Sequence, residues 1–267
     1  MAGQIIFFKK NRADYENTLV TVTASQGTDT QNYILDRSNR TMWGTSGSVD
    51  SDNTTVEVNL GDVRTIDSIL LLRHNFKNFK IQYWDELGLA WSDFTSAIHP
   101  TTNTSDSNYY SVTAVLTSKI LLTIYGTMVA DSDKNLCQFI ATSKIGQLDG
   151  WPVIGKPTLS RNIVQNKMLS GKAHLIQNVG AYSAKLTVKS LSSDADWAIF
   201  EALYNSPEGF LFWPCGGDET QFRTVREGYR MEDIYLVRCK SDQSPEWYSG
   251  LYKTGIKLDL DLVEVIT

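Results

Sequence analysis

The stretch that decides the fold lies between residues 33 and 83 and contains one polar loop followed by three strand-like segments. It reads Tyr33-Ile34-Leu35-Asp36-Arg37-Ser38-Asn39-Arg40-Thr41-Met42-Trp43, then Val56-Glu57-Val58-Asn59-Leu60-Gly61, then Ile69-Leu70-Leu71-Leu72, then Phe79-Lys80-Ile81-Gln82-Tyr83. Apolar and polar residues alternate in the second and fourth segments, which is the pattern of a strand with one buried face. The third segment is an unbroken apolar run, as expected of a strand covered on both faces. Together these segments predict a β-sandwich.

The polar loop ends at a single large aromatic residue, Trp43. Asp36, Ser38, Asn39 and Thr41 can hydrogen bond to nearby backbone groups and so hold a non-repetitive loop. Trp43 then supplies one ring that is large enough to fill the end of a thin sandwich. We therefore expect Trp43 to be a core residue rather than a ligand-binding one.

The order of these pieces resembles the discoidin-like family, the galactose-binding jelly rolls found in coagulation factors and in many carbohydrate-binding modules. The resemblance covers about residues 20–145 and rests on a Leu-Asp loop, a tryptophan and a Val-x-Val-x-Leu-Gly strand in that order. It implies a jelly-roll sandwich. The segments Ile120–Ile124 and Leu136–Ile140 are the expected closing strands.

The resemblance also raises the question of a metal in the polar loop. In many discoidin-like modules this loop binds a structural calcium through oxygen ligands, helped by a late glutamate. Here the matching late position is Gln138, and Arg37 and Arg40 bring positive charge into the loop, whereas calcium prefers several carboxylates. We predict a hydrogen-bonded loop with no metal and no cofactor. A calcium site through Asp36, Asn39 and Thr41 is the alternative.

Composition and charge indicate which classes of binding partner to expect. The chain has 267 residues, 42% of them hydrophobic and 21% charged, which is ordinary for a globular protein. Its 25 basic and 30 acidic residues give a net charge of −5, so we expect no nucleic-acid-binding surface. The apolar run Ile5–Phe8 is too short for a signal peptide, and no later run approaches a membrane span. We therefore expect no membrane insertion.

A change in composition divides the chain near residue 150. Three glycines and two prolines lie between Gly146 and Pro157, which is typical of a linker. We place the boundary there, so that residues 1–149 form the discoidin-like sandwich and residues 150–267 form a second β-rich domain. The predicted fold class is mainly β in both domains.

The second domain is predicted to contain strands and one helix. Residues 172–176 and 183–189 read as strands. Residues 194–205 read as a helix whose apolar face is formed by Trp197, Phe200, Leu203 and Tyr204. Apolar residues alternate with Lys and Asp in the last segment, 256–265, which we expect to be an exposed strand edge available for pairing with another copy.

This element order resembles the tail-tube fold of long-tailed bacteriophages, which tube, distal tail and baseplate hub proteins share. The resemblance covers about residues 155–267 and rests on two alternating strands, one amphipathic helix, Gly209-Phe210-Leu211-Phe212-Trp213 and a closing segment of alternating Leu and Asp. It implies a β-sandwich with one flanking helix. Protomers of that family form rings, usually six-membered, with the sheets joined edge to edge around a lumen.

No catalytic constellation is evident in the sequence. His74, His99 and His174 lie far apart, and there is no Gly-x-Ser-x-Gly elbow, phosphate loop or dinucleotide fingerprint. We therefore expect that the protein is not an enzyme and has no catalytic residues.

Sugar binding requires exposed aromatic faces beside planar polar groups. Trp84 beside Asp85 is the best candidate for a glycan contact, although Trp84 could equally be a half-buried residue at a strand end. Tyr109 and Tyr110 form a second candidate pair.

The leading hypothesis is a non-enzymatic bacteriophage tail structural protein, a distal tail, baseplate or tube-associated ring component with an outward discoidin-like module. Its partners would be copies of itself in a six-membered ring, other tail proteins and a host surface glycan. Its location would be the virion tail, assembled in the host cytoplasm. The alternative is a free carbohydrate-binding, lectin-like protein. An accessory domain of a glycosidase is the third hypothesis, disfavoured because no paired carboxylates stand out.

Overall fold

The computed structural model describes residues 5–38, 40–148, 153–154, 158–167, 173–191, 194–214, 233–239, 246–249 and 254–265. The described chain is mainly β, with one α-helix. It divides into two compact units. We call residues 11–144 the inserted module, and the described residues before 11 and after 144 the outer unit.

The strands are numbered in chain order. Those of the inserted module are β2 Thr21–Ala24, β3 Trp43–Gly44, β4 Thr54–His74, β5 Phe76–Asp85, β6 Ala90–Ile98, β7 Asn108–Thr127 and β8 Asn135–Thr142, with a 3₁₀ helix at Gln31–Leu35. Those of the outer unit are β1 Ile5–Lys9, β9 Lys144–Leu148, β10 Val153–Ile154, β11 Thr158–Lys167, β12 Ala173–Leu191, β13 Phe210–Trp213, β14 Tyr235–Cys239, β15 Glu246–Ser249 and β16 Thr254–Glu264, with helix α1 at Asp194–Tyr204.

The first strand of the chain belongs to the outer unit, which differs from the division at residue 150 expected from the sequence. β1 pairs antiparallel with β13, and Phe7 lies opposite Phe212. The sheet order places β1 between β13 and β9. Ile5–Phe8 is an unbroken apolar run because both faces of β1 are buried, as are both faces of its partner. The module is therefore an insertion between β1 and β9.

The outer sheet follows the order β10-β12-β16-β14-β13-β1-β9, with β11 beside β12 and β15 beside β16. Its two ends, β9 and β10, are separated in the chain only by the segment between Leu148 and Val153. Five peptide steps span at most about 19 Å, so the sheet must curl and bring its ends near each other.

The expectation that residues 256–265 form an exposed edge is wrong. β16 pairs with β12 on one side and with β14 and β15 on the other, so its backbone groups are used within the sheet. Leu260 and Leu262 are buried and Asp261 is exposed, which explains the alternation in this segment as a two-faced interior strand. A ring contact would have to use another surface.

The helix is present over almost the predicted residues, but its buried face differs from the expected one. Phe200 and Leu203 are buried, whereas Trp197 and Tyr204 remain 43% and 49% exposed. At about 100° per residue, Trp197 and Tyr204 project to one side of the stripe formed by Phe200 and Leu203. A Cβ atom at Gly146 of β9 would collide with Ile199, so this glycine permits close approach of α1.

The inserted module is an antiparallel sandwich whose strands follow the order β3-β8-β4-β7-β5-β6, with β2 beside β4. β4 and β7 are long, and their pairing shifts register between Asn59 and Arg64. The second half of β7, residues 120–127, also pairs with β5. The second half of β4, residues 68–74, also pairs with β8. The shift lets the same two strands contribute to both layers of the sandwich.

The core of the module confirms the roles predicted from the central sequence segments. Ile69 and Leu71 join the main apolar core, while Leu70 and Leu72 are also fully buried, as predicted for a strand covered on both faces. Trp43 is fully buried in the same core, and its indole N–H donates to the Gln26 carbonyl oxygen at 3.2 Å. Trp43 is therefore a core residue.

The insertion can be tested by excision. Replacing residues 11–144 with a short Gly-Ser linker should leave the outer unit folded, because the Arg12 N–H donates to the Ala141 carbonyl at 2.9 Å and the module's two ends are therefore adjacent. Residues 145–267 alone should be much less stable, since β13 and β9 then lack the strand between them. Circular dichroism melting of both chains is the measurement, and equal melting curves would contradict the assignment of β1.

Candidate functional site

The four residues predicted to contact glycan lie in two different places in the inserted module. Trp84 and Asp85 are at the end of β5, next to the turn into β6. Tyr109 and Tyr110 are at the start of β7 and line an open cleft whose lining contains neither Trp84 nor Asp85. The structure therefore does not bring the two pairs together.

Trp84 lies half-buried on the outer face of the sheet. Its ring meets that of Trp91 edge to face, with ring centroids 5.3 Å apart. The ammonium of Lys119 lies 5.6 Å from the Trp84 ring centroid and also pairs with Glu57 at 3.3 Å. These neighbours occupy much of the surface that a sugar ring would need for stacking.

Asp85 has a structural role in the β5–β6 turn. Its side-chain Oδ1 accepts the Leu87 N–H at 3.0 Å, and its main-chain carbonyl accepts the Leu89 N–H at 2.8 Å. Leu89 has φ +49°, so this hydrogen bonding helps hold a left-handed conformation that a branched side chain seldom adopts. Asp85 is thus a turn residue.

The cleft has a volume of about 410 Å³ and lies between the end of β6 and the start of β7. One wall comes from the β6 end and the two residues after it, and the other from the first residues of β7. The lining residues are Ser96, Ala97, Ile98, His99, Pro100, Tyr109, Tyr110, Ser111 and Val112. Aromatic, apolar and hydroxyl-bearing groups therefore meet in one concave surface.

The two walls come from the edge strand β6 and from the first residues of β7, which pair with β4. β6 is the last strand in its layer, and it pairs with β5 through a shift in which Ile81 lies opposite Ile98 while Gln82 lies opposite Asp93. The extra residues of this bulge carry Ser96 and Ala97 toward the cleft. β-bulges often redirect side chains at sheet edges in this way.

Tyr110 forms the base of the cleft and His99 its rim. Tyr110 packs against the core ring of Phe79, with centroids 6.3 Å apart, and burial raises the pKa of Tyr110 to about 12. Its hydroxyl therefore stays protonated through the physiological range. His99 is exposed and its ring lies 5.7 Å from that of Tyr125. The sequence suggested His99 only as a candidate for catalysis, although the adjacent Pro100 indicated a loop.

The polar loop after the 3₁₀ helix is held by hydrogen bonds. Asp36 accepts the Ser38 N–H at Oδ1 (2.8 Å) and the Thr41 hydroxyl at Oδ2 (2.5 Å). Arg37, at φ +58°, donates to Asp14 at 2.8 Å and to Glu16 at 2.6 Å. Both carboxylate oxygens of Asp36 are therefore used within the loop. Asn39, the other ligand in the calcium alternative, lies outside the described residues.

Neither a metal cluster nor a membrane-spanning helix occurs among the described residues. They contain no group of three or more His, Cys, Asp or Glu side chains arranged to hold a metal ion. In the same part of the chain no helix is long and apolar enough to cross a membrane. His174, one of the three histidines, lies in β12.

Comparison with known proteins identifies the inserted module. Residues 18–127 match the model of the F5/8 type C domain, so the module is discoidin-like. A search of curated protein sequences finds no match. The discoidin-like match covers less than half of the chain and lies within the inserted module.

Several solved structures are similar to about half of this chain. One is chitosan-binding module 1 from a Paenibacillus sp. IK-5 chitosanase/glucanase, at 21% identity and TM-score 0.41, covering 49% of this chain and 97% of that one. Another is the family 32 CBM of C. perfringens NanJ in complex with galactose, at 15% identity and TM-score 0.41, covering 52% and 99%. A third is a Ruminococcus gnavus GH29 fucosidase in complex with fucose, at 13% identity and TM-score 0.41, covering 51% and 27%.

The polar loop generates a metal-removal prediction. Adding calcium or EDTA should leave the melting temperature unchanged, because both carboxylate oxygens of Asp36 already accept hydrogen bonds within the loop. The Arg37 guanidinium pairs with Asp14, whose side chain is only 2% exposed. Arg37→Ala should lower the free energy of unfolding by about 2–3 kcal/mol, since a buried carboxylate loses its partner. Arg40→Ala is the matched control because it removes the same charge from an exposed position of the same loop. Stabilisation of the wild type by calcium would contradict the prediction.

Proposed function

We propose that the inserted module is a non-catalytic carbohydrate-binding module and that the cleft between β6 and β7 is its binding site. The observation that carries the proposal is the meeting of Tyr109, Tyr110 and His99 around an open cavity of about 410 Å³ in a discoidin-like domain. This volume falls within the usual range of about 300–1,000 Å³ for small-ligand sites. A saccharide of one or two rings has a suitable size.

The chemistry of the lining supports a saccharide. A sugar ring presents apolar C–H faces and a rim of hydroxyl groups, so its site needs apolar or aromatic surface together with hydrogen-bonding groups. Ile98, Pro100 and the tyrosine rings supply the former, and Ser96, Ser111 and the His99 imidazole supply the latter. No charged carboxylate or ammonium is among the lining residues, which favours a neutral saccharide over an ionic ligand.

The cleft is favoured over the face around Trp84. Trp84 is covered in part by Trp91 and Lys119, and the nearby Asp93 carboxylate accepts from both Gln82 and Lys80 at 2.8 Å. A sugar binding there would have to replace existing contacts, whereas the cleft offers concave surface.

Titration of the intact protein with a panel of neutral mono- and oligosaccharides, followed by calorimetry, tests this proposal. His99→Ala should weaken binding about tenfold, the effect of losing one hydrogen bond of about 1.4 kcal/mol, with little effect on stability because the side chain is exposed. Trp84→Ala and Tyr33→Ala should bind as the wild type does. If Trp84→Ala alone abolished binding, the site would be the Trp84 face, and if no saccharide bound, the function itself would be wrong.

We propose as a second function that the outer unit is an assembly scaffold of a bacteriophage tail, contacting equivalent protomers in a ring, with the module displayed from it. The resemblance of its element order to tail-tube proteins motivates this role. A specific observation supports a protein contact: Trp197 and Tyr204, seven residues apart on one side of α1, remain about half exposed. Large aromatic residues are enriched at protein interfaces.

This assembly role is tested by the double variant Trp197→Ser/Tyr204→Ser. The wild type should form oligomers by light scattering and rings in negative-stain images, and the variant should remain monomeric with nearly unchanged stability, because both side chains are exposed. Tyr33→Ser, which changes an exposed aromatic residue of the module, is the control. A wild type that stays monomeric at high concentration, or a variant that still forms rings, would contradict the role of this helix surface.

A further inference from the structure

A closed circuit of hydrogen bonds links His74, Asn108 and Asn103 to the backbone of Phe76. The Phe76 N–H donates to His74 Nδ1 at 3.0 Å, and His74 Nε2 lies 2.7 Å from Asn108 Oδ1. Asn108 Nδ2 donates to Asn103 Oδ1 at 3.2 Å, and Asn103 Nδ2 donates to the Phe76 carbonyl oxygen at 2.8 Å. The circuit thus begins at the backbone N–H of Phe76 and ends at the backbone C=O of the same residue.

The direction of each hydrogen bond in the circuit is determined by its first member. A backbone N–H can only donate, so His74 Nδ1 must be the unprotonated ring nitrogen and Nε2 must carry the proton. Nε2 then donates to Asn108 Oδ1, which leaves the Asn108 amide group to donate to Asn103. A proton added at Nδ1 would face the Phe76 N–H and break the first hydrogen bond. The circuit therefore requires a neutral imidazole.

The circuit fixes the loop that joins the two walls of the cleft. This loop, residues 99–107, connects the end of β6 to the start of β7. Further hydrogen bonds tie it to β4 and β5: His74 N–H donates to the Asp106 carbonyl at 2.7 Å, Asn103 N–H to the Lys77 carbonyl at 2.9 Å, and Phe79 N–H to the Pro100 carbonyl at 3.2 Å. His99 and Pro100 lie at one end of the loop and Tyr109 follows its other end.

The groups around His74 are mostly uncharged. β5 contributes the Phe76 ring, stacked 4.8 Å from the imidazole, and the Phe79 ring, while β8 places Leu136 opposite His74. The loop contributes Asp106, whose negative charge favours protonation, and Arg73 is the exposed neighbour on β4. His74 itself is only 2% exposed.

We propose that His74 is a positioning residue for the cleft: its neutral imidazole holds the loop 99–107 closed through Asn108 and Asn103, and its protonation releases the loop and weakens saccharide binding. The site and ligand class rest on the function proposed above, whereas the release of the loop does not.

The pH range of this effect follows from two pKa values. Burial lowers the pKa of His74 from its ordinary 6.5 to about 4, against the opposing effects of Asn108 and Asp106. The closed state is therefore favoured in full above pH 6.5, and its advantage is lost as the pH falls from 6.5 towards 4. Each pH unit in this interval should raise the opening constant up to tenfold, to a total on the order of 10²-fold.

Amide hydrogen exchange, corrected for the intrinsic pH dependence of exchange, tests the release without any saccharide. The amides of Phe76 and Asn103 should become less protected between about pH 7 and pH 4.5. The amide of Ser25, which donates to the Thr55 carbonyl at 2.9 Å outside the loop, should not. An equal loss of protection at Ser25 would mean global unfolding and would overturn the proposal.

Two variants separate titration of His74 from a general structural role. His74→Asn keeps an oxygen acceptor close to the Nδ1 position but cannot be protonated, so the pH dependence at Phe76 should disappear. Asn108→Asp places a carboxylate against Nε2, which favours the imidazolium and should move the midpoint of opening to higher pH. It also removes the donor to Asn103, so the Asn103 amide should lose some protection at every pH. An unchanged midpoint in Asn108→Asp would overturn the assignment to His74, even if His74→Asn failed to fold.

Saccharide binding then tests the link to the cleft. For a saccharide bound by the wild type, the affinity should fall between about pH 7 and pH 4.5 by a larger factor than in His74→Asn, which keeps the same His99 in the cleft. An equal fall in both proteins would overturn the positioning role. If no saccharide bound while the loop amides behaved as expected, the loop release would be supported and the proposed function would fail.

Discussion

The pairing of β1 with β13 is the constraint on which the arrangement of the chain depends. A buried strand must have its backbone groups hydrogen bonded on both sides, and β1 achieves this only between β13 and β9. The chain therefore has to leave the outer sheet at Lys10 and return to it at Lys144. The 2.9 Å hydrogen bond between Arg12 and Ala141 joins the two ends of the module, so the module is inserted in the chain between two strands that are neighbours in the outer sheet.

The inserted module combines a rigid core with loops that are fixed by side-chain hydrogen bonds. Its core includes the fully buried Trp43, and the shared strands β4 and β7 make its two layers one continuous hydrogen-bonded structure. Loops cannot pair in this way, so their backbone groups bond to side chains such as Asp36, Asp85 and Asn103. Binding sites commonly occur on loops held by such scaffolds, and the cleft beside β6 and β7 follows that rule.

The sequence predicted what depends on local pattern and missed what depends on distant partners. The alternation around Val58, the run Ile69–Leu72 and the buried Trp43 follow from side-chain periodicity and size, and the structure confirms them. The place of β1 could not be read locally, because its partner β13 lies on the far side of the whole inserted module in the chain. The alternation in β16 was read as an exposed edge, but the same pattern also fits an interior strand with only one apolar face. Whether a strand is an edge depends on its neighbours in space.

The candidate site shows the same limit at the level of single residues. Trp84 was favoured because a tryptophan beside an aspartate suits a sugar, yet neighbours on the adjacent strands cover part of the ring and the Asp85 carboxylate is used in the turn. Tyr109 and Tyr110 reached the cleft because the β6 bulge placed a concave wall opposite them. The role of His74 could not be predicted either, because a single histidine at a strand end in the sequence does not reveal which groups surround it in the fold. Burial among Phe76, Phe79 and Asn108 keeps its imidazole neutral. Because the hydrogen bonds that hold the loop beside the cleft require a neutral imidazole, the geometry of the cleft depends on the protonation state of His74.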